Sequence, residues 1–140
     1  MKQVVFDTCV LVAGLKSNRG ASFQLLKLIG LDHFQINLSV PLVLEYEDVL
    51  TRGFLTPPFT SNELIDIVNY LVSVGNIHEV FFLWRPILKD PKDDMVLELA
   101  VRSNSSHIIT FNEKDFKAAK GFGIQIKTPG QFLKEIGVTK

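Results

Sequence analysis

The stretch QVVFDTCVL, residues 3–11, decides how this chain is read. Gln3 to Phe6 is short, apolar and β-branched, the pattern of a strand buried on both faces rather than one half-exposed to water. It ends on Asp7, and a carboxylate at the end of a buried strand is costly unless it is paired or put to chemical use. Asp7 is therefore the anchor of any functional site. A second buried run, HIITF at residues 107–111, repeats the arrangement, with Asn112 and Asp115 just beyond it.

Working outward, Gly14 to Gly20 reads as a loop, and Phe23, Leu25, Leu26 and Ile29 take helical spacing up to Gly30. Phe34 to Leu38 returns to strand-like alternation. Ser39 ahead of Val40 and Pro41 starts a helix whose stripe of Leu42, Tyr46, Val49 and Leu50 runs until Gly53. TPPFTSNE, residues 56–63, is a loop, and Thr60 with Glu63 has capping-box spacing for a helix that closes at Gly75. His78 to Leu83 reads as a strand, and Asp90 with Pro91 opens a helix through about Asn104. Asn112 starts a short helix, Ile124 to Lys127 is a strand, and Thr128 with Pro129 caps a last helix that Gly137 ends. Strands alternating with helices predict one α/β domain over residues 1–140, with three layers and a central, mostly parallel sheet flanked by helices.

Composition fits that reading. A chain of 140 residues with 46% hydrophobic and 21% charged residues is ordinary globular material, neither disordered nor fibrous. Fifteen basic residues balance fifteen acidic ones, so any polyanion site must be local rather than the product of a global basic field. Cys9 is the single cysteine and cannot form an internal disulfide; it reads as a small apolar core filler. Asp7 interrupts the N-terminal apolar run, and no uncharged stretch reaches membrane-spanning length. The expectation is a soluble, cytoplasmic protein with no membrane partner.

In a parallel sheet, ligands collect beyond the C-terminal strand ends. The polar residues there are mostly acids: Asp7 after the first strand, Glu45 early in the helix after the second, Asp93 and Asp94 at a later helix start, and Asp115 after HIITF. Gathered at one rim, such acids raise one another's pKa values unless a cation is bound, and hard oxygen donors suit Mg²⁺ or Mn²⁺. Each acid also has a plain alternative. Asp90 and Asp93 favour a helix start by capping and dipole alone. Glu47 and Asp48 suit a solvated helix face, and so do Lys114, Lys117 and Lys120. His33, His78 and His107 are scattered and lack a paired nucleophile.

These residues together resemble the PIN (PilT N-terminus) domain family, in particular its branch of toxin components from toxin–antitoxin systems. VVFDTCVLVAGL is similar to the family's first strand with its terminal acid. LSVPLVLEYEDVL is similar to its second helix with Glu45, DPKDDMVLELA to its central acidic motif, and HIITFNEKDF to its last. The resemblance implies a Mg²⁺- or Mn²⁺-dependent endoribonuclease with catalytic acids Asp7, Glu45, Asp94 and Asp115. Metal ligands would come from Asp7, Asp94, Glu45 and Asp93, with Asp94 preferred over Asp93 as the acid immediately preceding the family's helix. Cys9 stands where Asn or Ser is common. Asn112 stands where many relatives carry the fourth acid, a place Asp115 could fill. The resemblance further implies an RNA substrate, an antitoxin partner and a homodimer. Thr8 and Asn112 would orient water or phosphate, and Arg52, Lys114 and Lys117 would contact the RNA backbone. Two other readings compete: a non-catalytic PIN-like module that binds RNA or protein, and a phosphotransfer domain with Asp7 as nucleophile, for which Cys9 stands where a second Asp is needed.

Overall fold

Residues 1–53, 60–80, 88 and 90–138 are described by the structure, a computed structural model. In chain order the elements are β1 (Gln3–Phe6), α1 (Thr8–Lys16), α2 (Ala21–Leu28), β2 (Gln35–Leu38), α3 (Val40–Gly53), α4 (Ser61–Val74) and β3 (Asn76–Ile77). Then follow α5 (Pro91–Arg102), β4 (His107–Ile109), a 3₁₀ helix (Glu113–Phe122), β5 (Gln125–Lys127) and α6 (Pro129–Glu135). The strands form a five-stranded sheet in the order β3-β2-β1-β4-β5, and all four pairings are parallel. The expected α/β class and sheet are present.

The buried apolar runs explain the order. Val4, Val5, Phe6, Ile108 and Ile109 are almost wholly inaccessible, so β1 and β4 occupy the middle, in register Val5 to Ile108. α5 packs over β1, β2 and β4 through Val96, Leu97, Leu99 and Ala100, while α1 packs against α2 and α2 against α6. From β1 the chain moves to β2 on one side and later to β4 on the other. The crevice beyond the C-terminal ends of β1 and β4 is therefore a topological switch point, where ligands collect in open parallel sheets. Among the described residues, no helix is long and apolar enough to cross a membrane.

Local signals set most boundaries. Thr60 with Glu63 and Thr128 with Gln131 both form complete capping boxes, and Pro91 follows the Asp90 N-cap. Three readings of the sequence change. α1 occupies residues where no helix was expected and takes in Gly14 from the expected loop; its N-cap is Asp7 itself, and Gly14 is buried because Leu26 of α2 lies where a Cβ would be. The strand expected over His78 to Leu83 lies earlier, at Asn76–Ile77, because the chain pairs with Asn37 and Leu38 of β2 as soon as Gly75 ends α4. Residues 81–83 of that expectation, like residues 56–59 of the expected loop, lie outside the described residues. Ser61 to Glu63 already form the first turn of α4.

Candidate functional site

Asp7 is 8% exposed at the end of β1, and each of its oxygens has a donor. Oδ1 accepts from the Thr8 backbone N–H at 2.9 Å, which is the N-cap of α1, and Oδ2 accepts from the Thr110 hydroxyl at 2.7 Å. Thr110 is fully buried at the end of β4, and its oxygen also receives the Asn112 backbone N–H at 3.0 Å, so one hydroxyl joins the ends of the two central strands. Cys9 is half-buried rather than a plain core filler: its Sγ lies 3.5 Å from Asp7 Oδ2 and 3.7 Å from Thr110 Oγ1. Burial, and then the Asp7 charge, push the thiol up to about 11, so it stays protonated beside the carboxylate. Tyr46 of α3 donates to the Phe6 carbonyl, one residue before Asp7.

The first turn of α5 carries the second acid. Partial burial, then the charges of Asp7, Asp90, Asp115 and Asp94, push the Asp93 carboxyl up to about 6. Asp93 thus shares a field with Asp7 and Asp115. Asp94, preferred on sequence, has its Oδ1 accepting the Leu88 backbone N–H at 2.8 Å, and its charge bears on Asp93 and on buried Glu98 one turn along. Asp90 is the N-cap, accepting from Lys92 N at 2.9 Å.

Asp115 stands in the first turn of the 3₁₀ helix and lines, with Asp90, Asp93, Lys114 and Lys117, a cleft of about 550 Å³. Two ammonium groups therefore share a cleft with three carboxylates. Glu45 lines a neighbouring cleft with Leu44, Pro91 and Met95, where its Oε1 lies 3.3 Å from Lys92 Nζ. Arg52 is not at the acidic cleft; it pairs with Asp48 on the exposed face of α3. Of the histidines, His107 is wholly buried between Ser106 and Glu135, and His78 holds Asn37 Oδ1 at 2.8 Å; both have structural partners remote from Asp7 in this network.

Carboxylate oxygens in mutual repulsion, one of them raised to about 6, are the donor chemistry that suits a hard dication. Among the described residues, however, no three His, Cys, Asp or Glu side chains form a group that could hold a metal ion. The acids share a field without closing on one point. Thr110 is the residue that reading the sequence missed, and its signal was available: it is a hydroxyl inside the apolar run HIITF, at the end of a buried strand.

A family model of the PIN domain matches residues 3–114. The chain belongs to the PIN domain family. Within this PIN domain the match runs from the start of β1, through Asp7, Glu45 and Asp93, to the first turn of the 3₁₀ helix. Among solved structures, VapBC2 from Rickettsia felis, crystallised bound to a DNA fragment from its promoter, is similar in fold. The TM-score is 0.60 at 12% identity, covering 90% of this PIN domain and 98% of that chain. No curated protein matches it.

Proposed function

We propose that this PIN domain is a divalent-metal-dependent endoribonuclease and the toxin half of a toxin–antitoxin pair, acting in the cytoplasm. The observation that carries the reading is the cleft shared by Asp90, Asp93 and Asp115, where burial and then the charges of Asp7, Asp90 and Asp115 raise the Asp93 carboxyl, so that added positive charge is favoured. Asp7, Asp93 and Asp115, joined by Glu45, would hold Mg²⁺ or Mn²⁺. When bound, such an ion lowers the pKa of a water and neutralises charge developing on a phosphoryl oxygen.

The chain's own residues supply the rest. Thr8 N–H and the Thr110 hydroxyl fix the Asp7 carboxylate in one orientation, each using one lone pair and leaving the others available. Lys114 and Lys117 line the same cleft and suit the phosphates flanking a scissile bond. Asn112, held through its backbone by Thr110, offers an amide where it can orient water. RNA as substrate is supported by membership of the PIN family, and an antitoxin partner by the neighbour being a VapBC2 complex. A homodimer belongs to the same reading.

Phosphotransfer through Asp7 is disfavoured, because Cys9 stands where a second acid is needed. A non-catalytic RNA- or protein-binding module has in its favour the amide at Asn112 and the lack, among the described residues, of three acids grouped for a metal. Purified protein with single-stranded RNA separates these readings. Cleavage should need Mg²⁺ or Mn²⁺ and collapse in Asp7→Asn. Cleavage that persists in that variant or in excess chelator overturns the proposal, and RNA binding with no cleavage favours the module.

A further inference from the structure

His107 is wholly buried in β4, whose pairing with Val4 of β1 on one side and Gln125 of β5 on the other fixes it in the sheet. Its Nδ1 lies 2.6 Å from the Ser106 hydroxyl, which also lies 3.3 Å from the Gln3 carbonyl oxygen. That hydroxyl suits either state of the ring. It donates to a bare Nδ1, and when Nδ1 carries a proton the hydroxyl oxygen accepts from it and donates to the Gln3 carbonyl instead. α6 covers the ring. Phe132 packs on it with centroids 5.1 Å apart, and Glu135 Oε2 lies 2.6 Å from Nε2. Glu135 also meets Lys2 at 3.2 Å and Lys127 at 3.9 Å, so this one carboxylate already faces two ammonium groups.

We propose that His107 is a proton-operated latch for α6: the neutral ring seats the helix against the sheet, and protonation of the ring loosens it. A buried imidazolium lacks water, and it adds a third cation around Glu135 beside Lys2 and Lys127. Because β4 is held by a neighbouring strand on each side, the charge reaches water most readily when α6, only seven residues long, carries Phe132 and Glu135 outward. The charged groups acting on the ring are Glu135 on α6, Lys2 ahead of β1 and Lys127 on β5. Burial holds the ring below its ordinary value of 6.5, with Glu135 pulling the other way and the two lysines adding to the fall. A histidine lowered in the folded state contributes stability above its unfolded value, and that contribution is lost as pH falls from 6.5 through the lower one. Acid therefore opens the latch.

The test is hydrogen–deuterium exchange of the whole protein from about pH 7.5 to about pH 5.5, read by mass spectrometry at α6 and at β1 and corrected for the intrinsic pH dependence of exchange. In the wild type, protection of α6 should fall several-fold relative to β1, about tenfold being the limit for one histidine of ordinary value 6.5 over that range. His107→Phe, which keeps a ring against Phe132 and cannot take up a proton, should show no such fall. Glu135→Gln, which removes the charge that favours the protonated ring, should show a deeper fall than the wild type. Wild-type α6 protection that stays constant with pH overturns the proposal, and so does an equal fall in His107→Phe. Should that variant fail to fold, a fall in Glu135→Gln no deeper than in the wild type overturns it.

Discussion

The Thr110 hydroxyl donates a 2.7 Å hydrogen bond to Asp7 Oδ2 across 103 positions of sequence, and both residues are buried. That bond fixes the orientation of the carboxylate on which the site is built, and it ties the end of β4 to the end of β1.

Thr110→Val keeps the shape and removes the donor. Asp7 Oδ2 then keeps only the weak Cys9 thiol as a neighbour, which should lower stability by about 1–3 kcal/mol. Urea denaturation measures the loss, and Thr110→Ser, which keeps the hydroxyl, should recover most of it. Equal stability of the Val variant and wild type would show that the bond contributes nothing.

The raised Asp93 carboxyl has a defined pH signature. Its folded-state value of about 6 lies above the ordinary 3.8, so the folded protein binds the proton more tightly. Asp93 thus favours folding below the lower value and loses that contribution as pH rises through the upper one. Asp93→Asn removes this dependence. In metal-free buffer, the melting temperature of the variant minus that of wild type should grow across the window from 3.8 to about 6 and then level off. A difference that stays flat with pH would contradict the shared field.

Divalent ions separate Asp93 from Asp94. An ion that binds only the folded form adds about 1.4 kcal/mol at ten times its dissociation constant. In a chain of this size that is a melting shift of roughly 4 °C. Asp93→Asn should abolish most of the shift, because that carboxyl shares a field with Asp7 and Asp115. Asp94→Asn should keep it, because its Oδ1 serves Leu88, and so should Asp48→Asn, whose partner is Arg52. Equal loss in the Asp93 and Asp94 variants would sink the assignment.

The two lysines of the acidic cleft should be felt as salt dependence. In an Asp7→Asn background, replacing Lys114 and Lys117 together by Gln should weaken RNA binding and reduce the slope of log affinity against log salt by about 1.4, near 0.7 per lost single-strand phosphate contact. Filter binding across a salt series measures it. Arg52→Gln should leave the slope nearly unchanged, since Arg52 pairs with Asp48 away from that cleft.

Sequence alone determined what depends on neighbours along the chain. Buried runs such as Val4 to Phe6 and His107 to Ile109 read as strands because nothing polar interrupts them. Thr60 with Glu63, Asp90 with Pro91, and Thr128 with Gln131 announced helix starts because a cap is made within three residues. α1 escaped notice because its cap is the residue already singled out for chemistry, and because Gly14 reads as a breaker until Leu26 is seen to need the space.

Tertiary structure decided which side chains meet. Asp93 and Asp94 are indistinguishable in composition, yet they meet different partners: Asp93 shares a field with Asp7 and Asp115, and Asp94 Oδ1 takes the Leu88 backbone N–H. Thr110 acquired its part from parallel pairing that sets Phe6 against Ile109, and Glu45 acquired Lys92 from the approach of α3 to α5. Spacing along the chain can propose the acids of a site. The partner each oxygen finds is set by contacts between residues that sequence places as many as 103 positions apart.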